Sequence, residues 1–277
     1  MAHRDRVFIA VLGLTGSGKS TFINRCVGSD VARAGSDLSS ITQKPEVYTL
    51  RHRGVSIELI DTPGFDDTNI SDVDRLQELA LYLTSMYKQK TNLTAIIYLH
   101  DIRSERVGGV ALKNIHILQD LTGIDNFNAI TVATNFWTDP PAERSLEHER
   151  ILKSEPKFFG AMIQANAEYW RLQMTESDGR SDCLALIDQV TRHKLPVSAL
   201  SIQYELVDLG LPFIETQAGR RVYQELLESN KESLEKIKEL ETRLNETLHQ
   251  LEARRGSLVG DVFRWLGNVA DTVCVIM

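Results

Sequence analysis

The sequence predicts an α/β fold built on a mostly parallel central sheet. Three apolar runs support this prediction, at residues 7–12, 55–64 and 93–100, because each is short, contains several β-branched residues and is followed by a polar or glycine-containing loop. Segments with the spacing of amphipathic helices separate these runs. Strands that alternate with helices in this way form parallel sheets whose loops gather at one edge.

The first strand leads directly into Gly13–Ser20, which reads GLTGSGKS. This segment matches G-x-x-x-x-G-K-[ST] and continues into a helix, the context in which the motif binds phosphate. Its glycines let backbone N–H groups converge on phosphate oxygens at a helix N-terminus. Lys19 is predicted to bridge the outer phosphates and Ser20 to ligate Mg²⁺. The candidate nucleotide-binding residues of this segment are Gly13, Thr15, Gly16, Ser17, Gly18, Lys19, Ser20 and Thr21.

The second strand ends in the tetrapeptide Asp61-Thr62-Pro63-Gly64. An aspartate here can hold Mg²⁺ through a water molecule, and the N–H of a glycine three residues later can reach a terminal phosphate. Before this strand, residues 27–54 are polar and rich in small residues, which predicts a flexible loop that senses the nucleotide. Thr42 is the best candidate there for a hydroxyl that closes over Mg²⁺. The competing hydroxyls are those of Ser39, Ser40 and Thr49.

The segments GLTGSGKSTFIN and LIDTPGFDD resemble the septin and immunity-associated (paraseptin) group of P-loop GTPases. The later segment LTAIIYLHDIRSERVGG gives looser support. The resemblance covers about residues 7–215 and implies a Ras-like G domain that binds GTP or GDP with Mg²⁺. It also implies dimerisation across the nucleotide.

Periodicity and breaker residues predict the remaining elements. In chain order, they are a helix over 71–87, a strand over 93–100, a helix ending at Gly123, a strand over 129–134, a helical stretch over 140–180 bent near Pro156 and Gly160, a helix over 183–194 and a short strand over 195–201.

The loop after residue 134 reads Asn135-Phe136-Trp137-Thr138, where GTPases usually carry N/T-K-x-D. The usual aspartate accepts hydrogen bonds from guanine N1 and N2, and the lysine stem covers the ring. Here an aromatic residue occupies the lysine position, where it can still cover a base face, and Asp139 follows one place late. Three interpretations stay open: Asn135 and Asp139 contact the base, discrimination is poor, or the loop is only hydrophobic packing. Ser198-Ala199 resembles the S-A element near the guanine base.

The side chain that usually supports hydrolysis is missing at position 65. Phe65 stands where many small GTPases carry a glutamine that orients water. Slow intrinsic turnover is therefore expected. Either a nearby polar residue positions the water, or Arg103 or Arg106 acts in trans on a facing subunit. Ordinary surface charge is the alternative for both arginines. The rival functions are an ATPase or promiscuous NTPase, and a nucleotide-stabilised scaffold without turnover.

The C-terminal part changes composition after the predicted G domain of residues 1–215. Residues 216–255 predict a long charged helix, either paired in a coiled coil or packed on the G domain. Residues 256–277 predict an amphipathic tail, and Cys274-Val-Ile-Met ends the chain as a prenylation pattern. These features predict a peripheral protein with a lipid anchor, with a tail docked on the protein's own groove as the alternative.

Composition excludes several other classes. A formal net charge of −7 without a long basic run argues against a nucleic-acid partner. Three widely spaced cysteines favour a reducing, cytoplasmic compartment over a disulfide framework. No apolar run reaches the length of a membrane span, and the apolar run near the start is predicted as a strand, not a signal peptide. The expected partners are therefore a nucleotide, a second copy of the chain and a membrane surface.

Overall fold

The computed structural model describes residues 6–32, 45–64, 70–103, 109–174, 179–192 and 197–229, and four single positions beyond them at 239, 242, 243 and 246. Within these residues, six strands form one sheet in the order β2-β3-β1-β4-β5-β6. Neighbouring strands are parallel except for β2, which runs antiparallel to β3. The strands are β1 (Arg6–Gly13), β2 (Glu46–His52), β3 (Val55–Asp61), β4 (Ala95–Asp101), β5 (Ile130–Asn135) and β6 (Glu168–Arg171). The predicted α/β fold with a mostly parallel sheet is confirmed.

Helices cover both faces of the sheet, as expected for parallel strands. The helices are α1 (Lys19–Val27), α2 (Ile70–Lys88), α3 (Gly109–Thr122), α4 (Glu143–Ser154), α5 (Ala161–Gln164), α6 (Gly179–Thr191), α7 (Ser201–Gln203) and α8 (Gln217–Ser229). Period-2 alternation in β4 sends Ile97 and Leu99 towards the α1 and α6 face, and Ile96 and Tyr98 towards the α2 and α3 face. Each face therefore has its own buried core.

Residues 27–54 were predicted as a flexible loop, and this prediction is wrong over Glu46–His52, which form β2. The strand lies at the edge of the sheet, where only Leu50 among its side chains is buried, so its sequence reads as polar. Arg53 and Gly54 join β2 to β3 with positive φ at both positions. This backbone suits a two-residue hairpin turn.

Residues 140–180 were predicted as helical throughout, and the structure corrects this at β6. The predicted bend is present as a π-helical turn over Pro156–Gly160. After α5, Asn166 adopts a positive φ of 71°, which ends the helix and redirects the chain into the sheet. The short strand predicted over 195–201 is also wrong, because Val197–Leu200 lie outside the sheet and Ser201 begins α7.

Helix α8 begins at Gln217, next to the domain boundary that the sequence predicted at residue 216. It packs on the buried core. Ala218, Val222 and Tyr223 are buried. The Gln77 Nε2 of α2 donates a hydrogen bond to the Tyr223 hydroxyl at 3.0 Å, and Arg221 pairs with Asp120 of α3. The predicted coiled coil, the amphipathic tail and Cys274 lie outside the described residues, apart from the four single positions. Among the helices that the structure describes, none has the length and hydropathy needed to cross a membrane.

Candidate nucleotide-binding site

The phosphate loop lies at the carboxyl edge of the sheet, between the central strand β1 and helix α1. β1 is flanked by β3 and β4, so the loops that follow these three strands meet there. Gly18 caps α1 with a left-handed backbone at φ 91°. The first N–H groups of α1 thus face the loop, as the sequence predicts for a phosphate site.

Lys19 is buried at the mouth of this loop, with 8% of its surface exposed. Its Nζ donates hydrogen bonds to the carbonyl oxygens of Gly13 and Leu14, each at 2.9 Å. The loop's own backbone therefore holds the ammonium in place. A buried cation at a helix N-terminus concentrates positive potential where a polyphosphate would bind.

The two residues predicted to serve Mg²⁺ are in contact. The Ser20 Oγ lies 3.3 Å from the Asp61 Oδ2, and Asp61 is buried at 1% exposure. A hydroxyl and a carboxylate suit Mg²⁺, which takes few protein oxygens and keeps several waters. Thr21, next along α1, is half-buried, and Thr42 lies outside the described residues.

Gly64 packs directly against the phosphate loop. A Cβ at this position would lie 2.5 Å from the Thr15 backbone nitrogen and 2.3 Å from the Thr15 Oγ1, so only glycine fits. The Thr62 Oγ1 donates a hydrogen bond to the Val11 carbonyl oxygen at 2.8 Å and so ties this segment to β1. The structure thus brings Asp61 and Gly64 to the loop on one continuous, anchored segment.

Asn135, at the end of β5, braces the same loop. It is fully buried, and its Nδ2 donates a hydrogen bond to the Ser17 carbonyl oxygen at 2.6 Å. In the turn that follows, the Thr138 Oγ1 donates to the Pro140 carbonyl oxygen and accepts from the Ala142 N–H. Asp139 is exposed in this turn. The Asn135 amide nitrogen and the Thr138 hydroxyl are therefore both engaged within the protein.

Arg103 is held within its own chain. Its Nε and Nη2 pair with the two carboxylate oxygens of Asp101, at 3.0 and 2.8 Å. The guanidinium also lies over the Phe136 ring, 3.9 Å from its centroid. Arg106, the other arginine considered for a role in trans, lies outside the described residues.

A cavity of about 520 Å³ separates the phosphate loop from the end of β4. His100 lies in its wall, stacked edge-on against Phe159 and His148 with ring centroids 5.7 and 6.0 Å away. Burial lowers the pKa of His100 to about 4, with His148 adding to this effect and Asp101 opposing it. The imidazole is therefore neutral at physiological pH. The lining residues are Leu14, Thr15, Gly16, Ser17, Leu99, His100, Asp101 and Arg103.

The loop after β6 is a part of the site that the sequence did not predict. The Met174 Cε lies 3.1 Å from the position of a Cβ at Gly18, so this loop borders the start of α1. Ser198-Ala199, the predicted base-contacting element, lies elsewhere: both residues bond to Asn126, and the N–H of Val197 donates to the Leu93 carbonyl oxygen before β4. The signal that could have located the loop is the EYWR strand before it, which we assigned to a helix.

Metal-binding clusters of histidine, cysteine and carboxylate residues are absent from the described residues. The Ser20 and Asp61 pair would hold Mg²⁺ in a different kind of site, where phosphate oxygens and waters would supply the remaining ligands.

Comparison with known proteins agrees with this geometry. Residues 8–139 match the model of the family described as 50S ribosome-binding GTPase. Immune-associated nucleotide-binding protein 4 of Arabidopsis thaliana is 24% identical over 157 residues, which are 56% of this chain and 47% of that protein. GTP-binding protein A of Dictyostelium discoideum is 35% identical over 78 residues, or 27% of this chain and 17% of that protein. The chain thus spans less than half the length of either relative.

Solved structures show the same fold. Toc33 from Arabidopsis thaliana, in complex with GDP and Mg²⁺, superposes with a TM-score of 0.54 at 17% identity, covering 70% of this chain and 87% of that one. A second structure comes from work on the chloroplast translocon components atToc33 and psToc159, for whose GTPase activity dimerisation is described as important. It superposes with a TM-score of 0.57 at 15% identity, covering 70% of this chain and 86% of that one. The described residues therefore share the α/β fold of these nucleotide-binding proteins.

Proposed function

We propose that this chain is a Mg²⁺-dependent GTP-binding protein that hydrolyses GTP slowly as a monomer and faster as a dimer. The observation that carries the proposal is the convergence of Lys19, Ser20, Asp61 and Gly64 on one loop at a helix N-terminus. The names of the sequence relatives, an immune-associated nucleotide-binding protein and a GTP-binding protein, support the choice of nucleotide.

Each of these residues has a distinct role in the proposed reaction. Lys19 neutralises the outer phosphates, and the N–H of Gly64 donates to the terminal one. Ser20 would hold Mg²⁺ directly, and Asp61 would hold it through a water molecule. When bound, the metal offsets charge that develops between the outer phosphates. Asn135 positions the loop through Ser17 and does not touch the reacting atoms.

A group that orients the attacking water is the missing part. The phenyl ring of Phe65 offers no hydrogen bond, so we expect the monomer to be slow. A second subunit can supply the group, and the importance of dimerisation for atToc33 and psToc159 supports this route. We favour Arg106 over Arg103 as the residue in trans, because Asp101 already engages the Arg103 guanidinium.

A dilution series tests this function. We expect phosphate release from GTP by the purified full chain to require Mg²⁺. We expect its rate per molecule to rise at least tenfold between low and high protein concentration, since an arginine in trans can contribute about 10³–10⁵ in rate. Arg106→Ala is the test variant. Arg150→Ala, which removes an exposed arginine, is its matched control. A rate per molecule that is constant with concentration contradicts the dimer. An absence of turnover at every concentration favours the non-hydrolysing scaffold.

From the sequence we also propose prenylation of Cys274 and attachment of the protein to the cytoplasmic face of a membrane. One lipid chain binds only marginally, so the amphipathic segment 256–277 would supply the second signal. Cys274→Ser is expected to move the protein from the membrane to the soluble fraction. Met277→Leu should keep it on membranes, because leucine at the last position still permits prenylation. Unchanged fractionation of Cys274→Ser would rule out the anchor.

A further inference from the structure

We propose that the site holds the nucleotide base by stacking against Phe136, a ring fixed by Arg103, so that it recognises a purine rather than guanine in particular. This inference rests on the proposed nucleotide binding and specifies what the site selects. It follows from three observations: the backbone conformation of Phe136, the contacts of its ring, and the hydrogen bonds made by the neighbouring polar side chains.

Phe136 adopts a positive φ of 60° immediately after β5. An aromatic residue in this region is a genuine outlier, and such outliers persist where the surrounding structure holds a side chain in a required place. The consequence is that the ring turns back over the start of α1. Its Cζ lies 3.6 Å from the position of a Cβ at Gly18, beside the Met174 Cε at 3.1 Å.

Phe136 and Met174 therefore border the phosphate loop where α1 begins. A nucleotide with its phosphates in the loop must extend its sugar and base past one of the loop's borders. The border formed by β5 and the loop after β6 offers an aromatic face and a polarisable thioether, both of which suit a purine ring. The neighbouring end of β4, lined by Leu99, His100 and Asp101, adds Arg103, which reaches the Phe136 ring.

Arg103 makes the Phe136 ring a fixed platform. The guanidinium lies 3.9 Å from the ring centroid, and the bidentate pair with Asp101 sets its orientation. A cation over an aromatic face is an attractive contact, and Asp101 balances its charge. Arg103 thus acts as a positioning residue through Phe136.

Two of the polar groups that could distinguish guanine from adenine, the Asn135 amide nitrogen and the Thr138 hydroxyl, are engaged within the protein. The Asn135 amide nitrogen bonds to the Ser17 carbonyl oxygen inside the protein, and Thr138 closes its own turn. Asp139 is exposed in that turn. Stacking alone is tolerant of base identity, because every base has a π-face, whereas strong discrimination needs dedicated hydrogen bonds. We therefore expect the affinities for GTP and ATP to agree within about tenfold.

Calorimetry on the full chain with Mg²⁺ tests the inference, using GTP, ATP, XTP and inorganic tripolyphosphate as ligands. Phe136→Ala is expected to weaken GTP and ATP about tenfold or more and to leave tripolyphosphate unchanged. Phe136→Trp should retain the affinity. Tyr204→Ala, which removes an aromatic residue that is 50% exposed on the turn after α7, is the matched control and should change nothing.

A second pair of variants tests the positioning role. Arg103→Gln should weaken both purine nucleotides without affecting tripolyphosphate, while Arg150→Gln, which breaks a comparable exposed pair with Glu147, should not. Unchanged tripolyphosphate binding also shows that each variant is folded.

Three results would overturn the inference: a preference for GTP over ATP beyond a hundredfold, unchanged affinity of Phe136→Ala, or a switch from GTP to XTP in Asp139→Asn. The switch would reveal a carboxylate that reads the base. If tripolyphosphate still binds, only the base assignment fails. If wild-type protein binds neither nucleotide nor tripolyphosphate, the proposed function fails with it.

Discussion

Replacing Lys19 with alanine is expected to weaken binding of Mg²⁺–GTP about a thousandfold, equivalent to about 4 kcal/mol, while the fold stays intact. The ammonium is a buried cation at the loop, fixed by the Gly13 and Leu14 carbonyl oxygens. Without it, the outer phosphates would enter a poorly hydrated site without their main countercharge. Calorimetry measures the affinity, and circular dichroism checks the fold.

Lys157→Ala provides the control for this substitution. Lys157 is exposed and its ammonium lies over the neighbouring Phe158 ring, so removing the side chain should leave the affinity unchanged. Retention of micromolar affinity by Lys19→Ala would show that the phosphates bind elsewhere.

Acidification from pH 7 to pH 4 is expected to destabilise the fold through His100 by about 3 kcal/mol. Burial lowers the pKa of His100 from 6.5 to about 4 in the folded protein, so between these values the unfolded chain binds a proton that the folded chain does not. The stability due to the neutral imidazole is complete above pH 6.5 and is lost as the pH falls towards 4.

Urea unfolding at several pH values measures this effect against the variant His100→Phe. Phenylalanine keeps the edge-on contacts with Phe159 and His148 but cannot bind a proton. The variant should lose less free energy of unfolding on acidification than the wild type. Equal losses in the two proteins would show that His100 does not titrate as its burial implies.

The sequence was sufficient for the phosphate loop and the strands that carry it. Gly13–Ser20 and Asp61–Gly64 are contiguous motifs behind buried strands, so residue type and spacing alone indicate their place. The edge strands β2 and β6 were harder to predict from the sequence. β2 and β6 each bury few side chains, and hydrophobic periodicity reports burial rather than backbone pairing.

The border formed by Phe136 and Met174 could not be found in the same way. The Arg103 contact with Phe136 joins residues from two different loops, and the bond from Asn135 to Ser17 spans 118 positions. Such contacts depend on strand order, and no local pattern encodes them. The positive φ of Phe136 is likewise visible only in the folded chain.

The buried hydrogen bond between Gln77 and Tyr223 joins helix α2 to helix α8. Helix α2 is the first helix after Gly64, and α8 is the last element before residue 230. Any rotation of α2 that accompanies loss of the terminal phosphate must either carry α8 with it or break this bond. The Arg75 Nη1 of α2 also donates to the Gly64 carbonyl oxygen at 3.1 Å, so hydrogen bonds connect α8 through α2 to the glycine beside the phosphate loop without contact with the nucleotide.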